Sequence, residues 1–284
     1  MREADVRFNL SLAGELLDFG TDVYTRLFMD ESFQGMEHAV LRRVRELTEE
    51  CFNLKTVPSG EVRPCGEDER MVLIGNHPIY ETQWITIQVM TELVANAGGI
   101  GKRELLWNPA YVPPLLAWPA WIADLAMFVP RNNHEEAVRV IKAACQKMFR
   151  PNTGVILFTD KHRPTSEAVT RDLKKFAKTY PGYGIENWRY TCFPSSTGLT
   201  RVLDGVPNIR VIDFTSCLDR PKPYDATFYV DQEEIPQDEI FDPANRIPEI
   251  PGENPISERE RRVRGWLLKR YTWKNTKFIH ERQR

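Results

Sequence analysis

The segment Met71-Val-Leu-Ile-Gly-Asn-His77-Pro-Ile-Tyr-Glu81-Thr82-Gln-Trp84 closes an apolar run with a histidine and a carboxylate four residues apart. Imidazole titrates near neutrality, so an acid that holds one ring nitrogen leaves the other ready to take a proton from an alcohol. A transferase or hydrolase site at a sheet edge is the expectation. In acyl transfer, His77 would accept the hydroxyl proton as that oxygen attacks an acyl thioester. Glu81 would orient the ring and stabilise the imidazolium, as the acid does in a catalytic triad. No protein nucleophile is then required. The spacing also fits a capping or packing histidine, because Pro78 places His77 at a helix entry rather than inside the helix. The H-E-x-x-H order and a second ligand cluster are absent, and no metal ligand is assigned.

The elements that would position these groups follow from periodicity. Residues 11 to 52 read as one or two amphipathic helices, carried by Leu12, Leu16 and Leu17 and then Val40, Leu41, Val44 and Leu47, with Gly20 and Gly35 as punctuation. Thr56 to Arg70 reads as a loop, Met71 to Ile74 as a buried strand, and Ile79 to Ala97 as a helix ended by Gly98-Gly99. The apolar positions of His134 to Arg150 recur at helical spacing. Pro151 to Gly154 then turns into a strand over Val155 to Phe158. A helix over Ser166 to Lys178, strands at Arg189 to Phe193 and Ile209 to Thr215, and a short helix at Gly198 to Leu203 continue a layered α/β order. Phe228 to Asp231 reads as an edge strand and Glu233 to Ile256 as an acidic, proline-rich surface tether. Ser257 N-caps a basic helix running to Tyr271.

At 284 residues the chain can bury a large core without staples. Apolar residues at 42% and charged residues at 27% describe a folded globular protein rather than a disordered one. A formal charge of −2 gives no pull toward nucleic acid. The five cysteines form no C-x-x-C pair, which predicts a reducing, cytoplasmic setting. The N-terminus lacks the basic start and unbroken apolar stretch of a secretory signal, and no window reaches a standard membrane span. Trp107 to Val129 comes nearest, with Asp124 its sole charge, but Pro109, Pro113, Pro114 and Pro119 oppose a straight helix. Its tryptophans suit peripheral contact with lipid, a buried irregular packing segment, or another apolar partner.

Several segments, in order, resemble the glycerolipid acyltransferase family, closest to the branch of lysocardiolipin, lysophosphatidylinositol and 1-acylglycerol-3-phosphate acyltransferases. The family's first motif is Asn-His, four residues, then Asp; here Asn76-His77 matches, Thr82 stands at the acid's position and Glu81 is the nearest carboxylate. Lys102-Arg-Glu104-Leu105 and Phe128-Val129-Pro130-Arg131 are similar to the ends of the second block, which implies that Arg131 binds the acceptor phosphate through its two-pronged fork. Read alone, Arg131 fits a solvated helix-flanking charge equally well. The third block, Phe-Pro-Glu-Gly-Thr followed by Arg or Asp, corresponds to Phe158-Thr159-Asp160-Lys161-His162-Arg163, with the acid shortened and the glycine replaced. Arg163 and Lys161 could clamp phosphate there, or the stretch is a charged strand-to-helix loop.

Further on, Phe193-Pro194-Ser-Ser-Thr197-Gly198-Leu199 resembles the branch's His-Pro-Arg-Thr-Thr-Gly-Phe segment, and Val211-Ile-Asp213-Phe-Thr215 its Asp-(Ile/Val)-Thr strand. Trp266-Leu267 through Trp273-Lys274 is similar to its final basic helix.

The resemblance implies an α/β, glycerolipid-acyltransferase-like layered fold with a central mixed sheet and flanking helices. An N-terminal helical extension would cover residues 1–55 and the acyltransferase-like domain residues 56–284. It implies fatty acyl transfer from acyl-CoA or an acyl carrier protein, without a tightly bound cofactor, to a lysophospholipid hydroxyl. His77 and Glu81 would be catalytic, with Asn76, Arg131, Asp160, Lys161 and Arg163 on the substrate. The altered first and third blocks leave two other readings open: a catalytically weakened homologue that binds lipid or protein, and an acyltransferase for a nonlipid alcohol or amine.

Overall fold

The computed structural model describes residues 3–29, 36–79, 82–94, 96–102, 126–129, 134–147, 152–160, 164–249 and 255–283. Within them the chain builds an α/β fold with a central mixed sheet and helices on both faces. The strands are β1 (Lys55–Ser59), β2 (Arg70–Gly75), β3 (Asn96–Lys102), β4 (Ala126–Val129), β5 (Thr153–Phe158), β6 (Arg210–Leu218) and β7 (Thr227–Ile235). Their order across the seven-stranded sheet is β1-β7-β6-β2-β5-β3-β4. From β6 to β4 all neighbours run parallel. β7 turns antiparallel to β6, and β1 runs parallel to β7.

β2 lies inside the sheet and shows why it does. Met71 and Leu73 are fully buried on one face, Val72 and Ile74 on the other, as the two-residue period of a strand requires. The first face packs under α1 (Glu3–Met29), α2 (Met36–Phe52) and α3 (Gln83–Thr91) through Phe8, Val44, Phe52 and Met90. The second face packs under α4 (His134–Lys147), α5 (Ser166–Thr179), α6 (Thr197–Gly205) and α8 (Glu258–Trp273). Trp188, Phe193, Trp266 and Tyr271 are among the large side chains buried there. Ser257 caps α8 by accepting from the Glu260 N–H at 3.1 Å, as the sequence predicts.

The structure corrects several boundaries. The helix after His77 is α3 alone, and Gly98-Gly99 lies in β3, pairing with Val155 and Ile156, so the sheet satisfies a backbone that reads as a helix stop. Gly20 falls inside α1, where one glycine costs about 1 kcal/mol against a long cooperative helix. The expected loop from Thr56 begins as strand β1, whose Pro58 is tolerated because β1 is a sheet edge. Gly60 follows with φ +80°, and a Cβ there would meet the Gln232 carbonyl oxygen at 1.9 Å.

β7 is longer than the edge strand expected at Phe228 and lies between β1 and β6. The expected tether after Glu233 is anchored: Ile235, Ile240 and Ile247 are buried, around a short helix α7 (Gln237–Ile240) and a 3-10 turn at Pro243–Asn245.

The expected strand at Arg189 to Phe193 does not form. The N–H groups of Arg189, Tyr190 and Thr191 all donate to Asn275 Oδ1, at 3.0, 2.8 and 3.3 Å, and Phe193 N–H donates to Asp172 at 2.8 Å. Side-chain acceptors thus replace a neighbouring strand. Asn275 reaches this coil from a π-helical segment, Lys274–Phe278, which continues α8 and leads into α9 (Ile279–Arg282).

Candidate active site

β2, β5 and β6 are parallel and end on the same side of the sheet, which brings the residues after each strand to one crevice. Asn76 and His77 leave β2, Thr159 and Asp160 leave β5, and Ser216 to Leu218 close β6. The crevice is a cleft of about 270 Å³. Asn76, His77, Thr82 and Ser216 stand in its wall, with Arg189 and Arg220 also lining it.

His77 is 5% exposed. Its ring stacks on Phe158, centroids 4.3 Å apart and planes 18° from parallel. Its backbone N–H donates to the Asp160 carboxylate in a short hydrogen bond. Ring and main chain are thus contacted by Phe158 at the end of β5 and by Asp160 just after it, and the histidine lines the cleft. The structure brings His77, Asn76 and Asp160 together, and Asn76 and Asp160 each also make hydrogen bonds that hold this corner of the fold.

Asn76 lines the cleft, yet its amide is committed to β6: Nδ2 donates to the Ser216 carbonyl at 2.9 Å and Oδ1 accepts from the Ser216 N–H at 3.0 Å. Asp160, expected on the substrate, is 1% exposed and stands behind the cleft, where its carboxylate holds the His77 main chain. Both serve first to position His77.

Glu81, Arg131, Lys161 and Arg163 lie outside the described residues, as does Trp107 to Leu125 of the apolar stretch. Thr82, at the position where the resemblance puts an acid, is fully buried in the cleft wall ahead of α3, its hydroxyl 3.4 Å from the Ile79 carbonyl.

Below the cleft the C-terminal helix inserts a polar layer. Tyr271 OH lies 2.7 Å from Thr159 Oγ1, and burial pushes its pKa well above the ordinary phenol value, with the Asp160 charge adding to the shift. Lys274 is fully buried, donating to Asp213 at 2.7 Å and to the Phe214 carbonyl at 3.0 Å. Burial lowers its pKa despite the Asp213 charge. Arg270 completes the group on the other Asp213 oxygen at 2.5 Å and on Glu233. These pairs tie the end of α8 to β6 and so brace the strand that Asn76 grips.

A cysteine also lines the cleft. Burial pushes the Cys217 thiol up to about 12, which disfavours the thiolate, the form that acts as nucleophile. Among the described residues no group of three or more His, Cys, Asp and Glu side chains could hold a metal ion. No helix there is long and apolar enough to cross a membrane.

Sequence reasoning missed Arg189, Arg220 and Ser216. Arg189 sits in the coil held by Asn275, and Arg220 follows β6 beside Asp219, which its Nε contacts at 3.1 Å. Neither belongs to a recognisable motif, and only the sheet order carries them to His77.

The fold and site define a mixed α/β protein with a histidine cleft at the carboxyl ends of its parallel strands. No protein-family model matches the chain, and no curated protein does. Among solved structures it is similar to the 1-acyl-sn-glycerophosphate (LPA) acyltransferase PlsC from Thermotoga maritima, at 16% identity and a TM-score of 0.48, over 95% of this chain and 96% of that one.

Proposed function

We propose that this chain transfers a fatty acyl group from an acyl thioester to the hydroxyl of a lysophospholipid, with His77 as general base. The observation that carries the reading is the placement of His77: buried beside the central strands, stacked on Phe158, held through its main chain by Asp160 and open to the cleft. The ordered motif resemblance supplies the reaction class.

In the reaction, the acceptor hydroxyl gives its proton to the His77 ring as its oxygen bonds to the thioester carbonyl carbon. The carbon–sulfur bond then breaks, and the departing thiolate takes the proton from the imidazolium. A positioned base of this kind contributes about 10²–10⁴-fold in rate. Glu81 is the proposed orienting acid, and Arg131, Lys161 and Arg163 are the proposed phosphate ligands. Arg189 and Arg220, both exposed and lining the cleft, favour an anionic substrate. Acyl-CoA or an acyl carrier protein is the proposed donor, and contact with a membrane surface through Trp107 to Val129 is part of the same proposal.

One observation favours a second reading, a lipid-binding homologue with weakened catalysis: the buried Thr82 where the resemblance expects a carboxylate. Thiol release from oleoyl-CoA, with and without 1-oleoyl lysophosphatidate or a soluble alcohol or amine, separates the readings. Acceptor-dependent release that His77→Ala reduces by at least about 100-fold and Glu81→Gln also lowers supports acyl transfer. Saturable lysophosphatidate binding without turnover favours the weakened homologue, and turnover with the soluble acceptor alone moves the acceptor out of the lipid class.

A further inference from the structure

The Ser216 hydroxyl is the feature of the cleft that the fold leaves unused. Ser216 is 2% exposed and its Oγ has no hydrogen-bond partner among the described residues, while its N–H and carbonyl are both held by the Asn76 amide. Strand alternation puts Ser216 on the face of Phe214 and Leu218, and there it stands in the cleft wall. The hydroxyls of Thr86 and Thr215 are also buried without a partner, but neither lines the cleft. Leu218 and Phe228, which share the cleft lining with Ser216, are apolar and carry no side-chain partner for its hydroxyl.

A buried donor left unmade costs about 1–3 kcal/mol, and a methyl in its place would cost nothing. The hydroxyl therefore makes no bond among the described residues, and the cleft that Ser216 lines is where a partner can reach it. We infer that Ser216 Oγ donates to an oxygen of the acceptor and so fixes the oxygen-bearing end of that molecule beside His77. Ser216 is a substrate contact and a specificity residue, and this assignment rests on the acyl-transfer reading. A site that bonds a substrate oxygen discriminates strongly against an analogue lacking it, because the donor is then left alone again. The acceptor class that fits is a polyol-phosphate lipid rather than a simple long-chain alcohol.

The test compares wild type, Ser216→Ala and Ser216→Cys in three measurements: melting of the free protein, the melting shift caused by 1-oleoyl lysophosphatidate, and kcat/KM with oleoyl-CoA. In Ser216→Ala the free protein melts no lower than wild type, the lysophosphatidate shift shrinks, and kcat/KM falls about tenfold, the size of one lost hydrogen bond. Ser216→Cys, a weak donor, falls between. With 1-decanol as acceptor the two proteins differ less than they do with lysophosphatidate. A wild type that turns over beside an unimpaired Ser216→Ala overturns the inference alone, as does a free Ser216→Ala protein that melts several degrees lower. A wild type that does not turn over, but whose lysophosphatidate shift is lost in Ser216→Ala, overturns the acyl-transfer reading and upholds the contact. A wild type that neither turns over nor shifts overturns both.

Discussion

The side chain of Asn76 and the main chain of Ser216 exchange two hydrogen bonds, which continues the β2–β6 ladder beyond its last paired residues, Gly75 and Phe214. The residue before His77 is thereby locked to a neighbouring strand after its own strand has ended. Asn76→Ala would leave a buried N–H and a buried carbonyl on β6 without partners, a loss of about 2 kcal/mol. Urea denaturation measures it. A variant within about 0.5 kcal/mol of wild type, the usual range for inconsequential surface changes, would remove Asn76 from this role.

Cys217 tests the absence of a covalent intermediate. With its thiol pushed up to about 12 by burial, it should resist aromatic disulfide reagents at pH 8 in the folded protein and react once urea exposes it. Cys217→Ser should keep its turnover. An acyl adduct on Cys217 in the mass spectrum of a quenched reaction would contradict the direct route through His77.

The buried pairing of Lys274 with Asp213 predicts a large cost for losing one partner. Lys274→Ala should destabilise by about 3 kcal/mol, since Asp213 keeps Arg270 but loses its second cation. The pH dependence has a definite sign. Burial lowers the folded pKa of Lys274 below its usual 10.5, so between those two values the unfolded chain holds more protons. Stability from this group therefore rises with pH toward 10.5. Tyr271, held protonated above its usual 10.0, tilts the other way above that pH. The difference in unfolding free energy between wild type and Lys274→Met, followed from pH 7 upward, isolates the lysine and should widen in favour of wild type as pH rises toward 10.5.

At the opposite end of the strands, Glu69 accepts from Arg63 at 2.6 Å and from the Gly66 N–H at 2.8 Å, and meets Arg210 at 3.1 Å. The hydrogen bond from Arg63, then that from Gly66, brings its pKa from 4.5 to about 2. A depressed carboxylate gives stability that is present above the unfolded value and lost as pH falls through the folded one, here from about 4.5 down to about 2. Glu69→Gln should show a shallower acid limb over that interval by circular dichroism. An identical limb would mean the pairing is absent in solution.

The elements legible in sequence were those whose own periodicity decides them. Met71 to Ile74, with four consecutive apolar residues, is a buried strand wherever it lies in a sheet, and Ser257 followed by acids and then basic turns caps its own helix. The errors share one cause, backbone satisfied by distant partners. Arg189 to Thr191 carries strand-forming residues, but Asn275, more than eighty positions away, takes its N–H groups. Gly98-Gly99 looks like a stop signal until β5 and β4 pair on either side of it.

The sequence by itself determined that a histidine leaves an apolar strand and that segments resembling glycerolipid acyltransferase motifs follow it in order, because local patterning and residue order suffice for that. The tertiary structure decided which groups meet it. Asp160 came to anchor the His77 main chain, Asn76 became a splice to β6, and Ser216 came to the cleft wall with its main chain held by Asn76. Those outcomes depend on β2 lying between β5 and β6, a contact order set by burying both faces of the sheet at once, which no local segment encodes.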